Sequence, residues 1–292
     1  MRGDPDAHEF IAPGSLNGVL SLLADEPGKW TPIAGGTELM VAHAAGRLTA
    51  RHLVSLWGIG DLRFIRVHSD SIVIGAGSTF RDLRAHPNVS ADFPLLAKAA
   101  SWIGSIANQS RATLGGNLVN GSPAADSSPA LHAYDAQVEL ISVRGTRRLP
   151  YAEFHTGYKQ NVLAVDELLF AVHLPRRFAL HQQYLRKVGT RRAMAISKVA
   201  LAGCALIEQG TVREIRLGAA SVAAYPTRLN RTEEAICGRG VGPEMIRAAR
   251  VAASAEIVPI DDIRSTAEYR RVVTVNLLQE FLSILAAPGP EI

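Results

Sequence analysis

Pro32-Ile33-Ala34-Gly35-Gly36-Thr37-Glu38-Leu39 carries the reading of this chain, together with Thr113-Leu114-Gly115-Gly116-Asn117 further along. Each glycine pair follows or ends an apolar run and leads toward residues able to open a helix. Lacking Cβ atoms, both pairs can bring backbone N–H groups close to an anion. Two such loops suggest a clamp on a diphosphate, because main-chain amides bind phosphate without burying side-chain charge. Neither loop follows the dinucleotide fingerprint or the P-loop pattern, so a Rossmann domain and a P-loop ATPase are disfavoured.

Outward from the first loop, Ser15 is expected to cap a helix over 16–23, where Leu16, Val19, Leu20 and Leu23 fall at helical spacing. Residues 30–34 read as a strand, 38–45 as a helix ending at Gly46, and 52–56, 64–67 and 71–74 as further strands. Thr79 can cap a helix over 80–85, and a second helical stretch, 95–106, leads into the second loop. Beyond it, 121–129 is rich in turn formers, with a helical turn at 130–133. Residues 137–143, 147–149 and 167–174 then alternate as strands. Pro175-Arg176-Arg177 is the expected boundary, because three strand-like runs follow (182–188, 198–208, 212–219) and then only helices (231–236, 243–253, 267–286). Glu208-Gln209-Gly210 reads as a hairpin turn. The fold class is α+β, with units at 1–177 and 178–292.

Hydrophobic residues make up 47% of the 292, yet no segment reaches the roughly 18 uninterrupted apolar residues of a bilayer span. The N-terminus, Met1-Arg2-Gly3-Asp4-Pro5-Asp6, has no apolar stretch like that of a secretory signal, so a cytoplasmic location is expected. Cys204 and Cys237 are the only thiols, too few to hold an iron–sulfur cluster, so any redox metal is expected on a partner chain. A net charge of +4 arises from scattered doublets such as Arg147-Arg148 and Arg191-Arg192 without aromatic interleaving, which points away from nucleic acid. His155 and His173 have no companions at metal-ligand spacing, and Cys204 sits in an apolar run as a buried inert thiol.

The stretch 32–39 resembles the first flavin motif of the FAD-binding subunit of molybdenum hydroxylases, the group containing xanthine dehydrogenase and carbon monoxide dehydrogenase. Thr113 to Asn117, followed by Ser122-Pro123-Ala124-Ala125-Asp126 and Pro129, is similar to the second. The resemblance continues through Gly157-Tyr158-Lys159, Asp166-Glu167-Leu168-Leu169, Lys187-Val188-Gly189-Thr190-Arg191-Arg192-Ala193 and 219–228, spanning nearly the whole chain. It implies a two-part FAD-binding domain of the vanillyl-alcohol-oxidase (PCMH) type, followed by the family's small C-terminal α+β domain. Pro32, Ile33, Ala34, Gly35, Gly36, Thr37, Glu38 and Leu39 would wrap the pyrophosphate, and Thr113, Leu114, Gly115, Gly116 and Asn117 would supply further amides. Asp126 would contact the polar part of the cofactor. Ile103, Leu169 and Lys187 would lie beside the flavin, where the lysine charge would favour the reduced, anionic form. Two departures stand out: Asn108-Gln109-Ser110 replaces an apolar–Arg–Asn run, and Ile103 stands where the animal xanthine enzymes place an aromatic ring.

The resemblance therefore implies an oxidoreductase subunit that collects electrons on FAD and passes them to NAD+, oxygen or a quinone. The molybdenum cofactor and 2Fe-2S clusters would lie on a large and a small partner subunit, in a doubled heterotrimer. The Lys187 to Arg192 run favours a xanthine-dehydrogenase-like system. Plainer readings stand beside these. Thr37 and Glu38 also fit helix capping, Asp126 a turn, Lys187 a solvated strand end, and Tyr158 a core edge. At the level of the whole chain, the alternatives are a stand-alone FAD reductase of the enolpyruvyl-UDP-sugar type and a non-enzymatic two-domain interaction protein.

Overall fold

The computed structural model describes residues 7–191 and 194–287. The N-terminal hexapeptide, and Arg192 and Ala193 of the Lys187 to Ala193 stretch, lie outside the described residues.

The chain opens with a three-stranded parallel sheet of β1 (Glu9–Ile11), β2 (Trp30–Ile33) and β3 (His52–Ser55), in the order β1-β3-β2. Parallel neighbours need a crossover, and the predicted amphipathic helix supplies one. In α1 (Leu16–Asp25), Ser15 Oγ accepts the Gly18 amide, while Leu16, Val19, Leu20 and Leu23 pack on Trp30, Val54 and Leu62. After β2 the chain passes through the first glycine pair into α2 (Leu39–Ala44), which buries none of its side chains.

A five-stranded antiparallel sheet follows, ordered β4-β5-β10-β6-β7. Its strands are β4 (Ile65–Val67), β5 (Ser71–Gly75), β6 (Gln137–Ser142), β7 (Gly145–Pro150) and β10 (Leu168–Pro175); β8 (His155–Gly157) and β9 (Gln160–Asn161) form a separate small hairpin. The helices α3 (Phe80–Ala85), α4 (Pro87–Asp92), α5 (Pro94–Trp102), α6 (Ile106–Gln109), α7 (Leu114–Val119) and α8 (Ser128–Ala133) are inserted between β5 and β6. The apolar residues of all but α6 close one core with Ile72, Ile74, Val138, Leu140 and Val172. The single helix expected over 95–106 is broken. α5 ends at Trp102, and Ser105 and Asn108 form a reciprocal cap that starts α6 instead, so local side-chain hydrogen bonding outcompetes continuation.

The last sheet is antiparallel: β11 (Gln182–Val188), β12 (Val199–Glu208), β13 (Thr211–Ala220) and β14 (Thr227–Arg228). β12 and β13 meet at the predicted turn, with Gln209 and Gly210 both at positive φ. β14 corrects the expectation that only helices follow the third strand. Its two residues carry too little pattern to be read, and pair through Gly218 and Ala219. β12 is apolar from Val199 to Ile207 because both its faces are covered along most of that length. Ala202 and Cys204 join the first core, whereas Val199, Leu201 and Ala205 face the core built with α9 (Asn230–Ile236), α10 (Pro243–Glu256) and α11 (Ala267–Ala286).

Candidate functional site

The first glycine run leaves the buried end of β2 at Ile33 and turns through Gly36, whose φ of +73° is one that a side chain rarely tolerates. Gly35 has a different constraint. A Cβ there would overlap the Arg111 carbonyl oxygen and lie 2.5 Å from its carbonyl carbon. The two glycine segments are thus in backbone contact, through the residues just before the second pair. Among the described residues, no backbone or side-chain acceptor takes the amides of Gly35, Gly36, Thr37, Glu38 or Leu39. Five successive unpartnered donors on a glycine turn are the donor set that an anion nest requires. Neither Thr37 nor Glu38 caps α2. The Glu38 carboxylate instead accepts from Lys159 Nζ at 3.3 Å, which ties the loop to the tip of the β8–β9 hairpin.

The second run behaves differently, and the expectation that it lends amides is corrected. Leu114 N donates to Ser78 O (2.9 Å), Gly115 N to Ala76 O (2.8 Å), Gly116 N to Thr113 Oγ1 (3.1 Å) and Asn117 N to Thr113 O (3.0 Å). Thr113 is the N-cap of α7, and the glycines occupy the first helical turn. A Cβ at Gly115 would lie 2.6 Å from Ala76 Cβ, so that glycine permits close packing on the end of β5. Asn117 also braces the loop that follows α7, where its Oδ1 accepts from Ser127 Oγ at 2.6 Å, beside Asp126.

Asp126 and Lys187, predicted separately, meet. Lys187 Nζ donates to Asp126 Oδ2 at 2.6 Å, and Ser197 Oγ donates to Asp126 Oδ1 at 2.5 Å. Both charged side chains are about nine-tenths buried, so the solvated-lysine reading does not hold, and Asp126, which does stand in a turn, is a buried and paired turn residue. Burial pushes the Asp126 carboxyl above the ordinary carboxylate range, while Lys187 and Ser197 pull it back. The pair bridges the two sequence units: Asp126 precedes α8, and Lys187 lies on β11. Ile103 is half-buried just after α5, and Leu169 is buried in β10 within the first core. Tyr158 is exposed rather than a core edge, because the hairpin turn at Lys159 (φ +53°) carries it outward.

Lys159, Arg111 and Ser197 adjoin these residues, and none of them has a role read from the sequence, although Lys159 lies in a stretch that carries the resemblance. Arg111 stacks over Trp57, 3.7 Å from the ring centroid, which holds the segment against Gly35. Lys159 stands inside the Gly157-Tyr158-Lys159 motif, where a cation near a phosphate loop is the signal that could have found it. Ser197 lies in an irregular stretch before β12 with no periodic signal. Of the remaining polar groups, His155 is buried against Tyr151 and His173 bonds Glu139 at 2.6 Å. Burial raises the Cys204 thiol, as expected of an inert core cysteine. The described residues contain no helix long and apolar enough to cross a membrane.

Comparison with known proteins agrees with this architecture over nearly its full length. The chain is 30% identical over 287 residues to the xanthine dehydrogenase FAD-binding subunit of Escherichia coli O157:H7, covering 97% of this chain and 98% of that one. It is 31% identical over 247 residues to the nicotinate dehydrogenase FAD-subunit of Eubacterium barkeri, covering 82% and 83%. Among solved structures, a carbon monoxide dehydrogenase chain from Hydrogenophaga pseudoflava superposes with a TM-score of 0.91 at 28% identity, covering 96% of this chain and 97% of that chain. Residues 184–285 match the CO dehydrogenase flavoprotein C-terminal domain. Residues 6–177 match the FAD binding domain in molybdopterin dehydrogenase, and the chain belongs to that family, as an FAD-binding oxidoreductase subunit of the molybdenum hydroxylases.

Proposed function

We propose that this chain is the flavin electron-transfer subunit of a cytoplasmic, three-component molybdenum hydroxylase, xanthine-dehydrogenase-like in its system. Substrate would be oxidised at a molybdenum cofactor on a large subunit, with 2Fe-2S clusters on a small subunit feeding this chain. FAD supplies the two-electron chemistry and the outlet to NAD+, oxygen or a quinone. The chain's own residues position and tune. Residues 32–39 would grip the pyrophosphate with main-chain amides, and Lys159 would add a positive charge beside them. Residues 113–117 would border the cofactor and brace Asp126 through Asn117 and Ser127. Ile103 and Leu169 would flank the ring system, with Lys187 and Asp126 acting as a buried pair rather than as a bare cation. The division at residue 177 belongs to the same proposal.

The observation that carries this reading is the run of unsatisfied amides from Gly35 to Leu39 on a turn where Gly35 has no room for a Cβ and Gly36 has a positive φ. The test is a titration of the purified chain with FAD, followed by visible absorbance and flavin fluorescence. Saturable yellow binding is expected, together with copurification of a molybdopterin chain and an iron–sulfur chain when the operon is expressed whole. A chain that folds and stays colourless removes the proposal. Rapid pyridine-nucleotide oxidation by the isolated flavoprotein on a sugar-nucleotide substrate would replace it with the stand-alone reductase.

A further inference from the structure

We propose that Arg270 is a positioning residue for the flavin site, fixing the Asp126 carboxylate through Ser221 and Ser197; the inference rests on the FAD reading above. Arg270 sits in the first turns of α11 and is only 3% exposed. Its Nη1 donates to the carbonyls of Lys198 (2.8 Å) and Ser221 (3.2 Å), and its Nη2 donates to Asp262 Oδ1 (2.8 Å). A buried guanidinium is a costly way to fill space, and apolar packing would be at least as stabilising, so what it fixes matters more than its volume.

It fixes the peptides that adjoin Ser197, the residue that bonds Asp126. Ser221, held at φ +64°, donates its amide to Pro123 O (2.7 Å) and its hydroxyl to Ser197 O (2.9 Å). Ser197 then donates to Asp126 Oδ1, opposite Lys187. Lys198, gripped on the other side, follows Ser197 directly in sequence. The residues from Asp262 to Lys187 are therefore joined in series by hydrogen bonds between buried or half-buried groups, and the planar fork of arginine lets Nη1 serve both carbonyls while Nη2 is held by Asp262. Through this relay, a residue of the last helix sets where the Asp126 to Lys187 pair stands.

The test is a double-mutant cycle in the full chain, combining Arg270→Lys with Ser197→Ala. Lysine keeps the charge but lacks the fork. Alone, Arg270→Lys is expected to weaken FAD binding by about tenfold and shift the visible flavin bands, whereas in the Ser197→Ala background it changes the dissociation constant by less than about twofold. Equal fold-changes in both backgrounds overturn the relay, as does a lowered melting temperature with wild-type affinity and spectrum. Should Arg270→Lys fail to fold, Asp262→Asn, which loosens the same guanidinium from its half-exposed side, carries the same comparison. If even the wild-type chain binds no FAD, the functional reading fails separately; coupling between the two substitutions in denaturant melts of the apoprotein still decides the relay.

Discussion

Replacing Gly35 by alanine probes the nest with a defined geometry. The added Cβ would lie 2.5 Å from the Arg111 carbonyl carbon and closer still to its oxygen. Carbon atoms pack at about 3.5–4.0 Å, so the two segments must separate by at least about 1 Å. The Arg111 side cannot yield easily. Its amide and that of Ala112 both donate to Asn108 O, Ala112 O accepts from Phe80, and the guanidinium is stacked on Trp57. The first glycine loop moves instead, and under the proposed role a displacement of about 1 Å spoils amide–phosphate geometry. Each hydrogen bond to a charged acceptor is worth about 1.5–3 kcal/mol, so losing one weakens FAD binding by roughly ten- to a hundredfold. Fluorescence titration reads this directly, with far-UV circular dichroism confirming that the fold persists. Gly116→Ala is the matched comparison. Its Cβ would meet only Thr113 Oγ1, at 2.9 Å, and the Gly116 amide is already spent on that hydroxyl, so affinity should stay within about threefold of wild type. Equal losses for both variants, or none for Gly35→Ala, would refute the assignment of phosphate binding to the first run.

Lys187→Met leaves Asp126 buried without its cation and is expected to destabilise the chain by about 3–5 kcal/mol in denaturant melts, with the added Asp126→Leu restoring most of it. Lys159→Ala removes an exposed ion pair with Glu38 and should leave the melting temperature unchanged, while weakening FAD binding severalfold at low salt and less at high salt. His132 is fully buried against the Pro226 carbonyl, and burial lowers its pKa from 6.5 to about 3. The unfolded chain binds the proton that the folded chain refuses. Its contribution is therefore complete above pH 6.5 and declines by up to about 1.4 kcal/mol per pH unit as acid approaches the folded value. Melts of His132→Gln across that window should show a shallower loss, and an unchanged slope would rule the histidine out.

Elements whose periodicity is set by one buried face were legible in the sequence. α1 buries the four leucine and valine positions at helical spacing, and α11 falls where the pattern placed it, because burial and spacing state the same thing twice. The glycine runs were legible as special backbone but not as to purpose. Both look like anion loops until the hydrogen-bond partners of each amide are known, and those partners, Ser78 and Ala76, lie on a strand end that no local pattern connects to Gly115. The 95–106 helix misled because apolar spacing runs through Ile103, while the Ser105–Asn108 cap, a competing local interaction, decides the break. Asp126, Lys187 and Ser197 illustrate a different limit. Motif likeness marked the first two, but a buried ion pair is a tertiary fact, and 61 residues separate its members.

The short helix α8 explains why the pair forms at all. At its start, Asp126 and Ser127 are held by Lys187, Ser197 and Asn117. Just past its end, Asp135 takes Arg216 and Arg228 from the last sheet as well as Arg177. Between them the helix lies flat on β13. A Cβ on Gly218 would come within 2.7 Å of His132 Cβ, and the His132 ring reaches over to Pro226 O. Ion pairs at both ends and close packing in the middle leave little freedom to rotate or slide, so α8 holds the Asp126 side of the pair against the last sheet by three separate contacts, in addition to the relay that reaches Asp126 through Ser197. A substitution at the far end, such as Arg228→Ala, should therefore disturb the flavin site less than one at Asp126. It removes one of the three arginines on Asp135 while leaving Arg177, Arg216 and the close approach at Gly218 intact. Were FAD affinity to fall as far with Arg228→Ala as with Asp126→Asn, α8 would have to be a hinge held by its charges alone, and the packing at Gly218 would count for nothing.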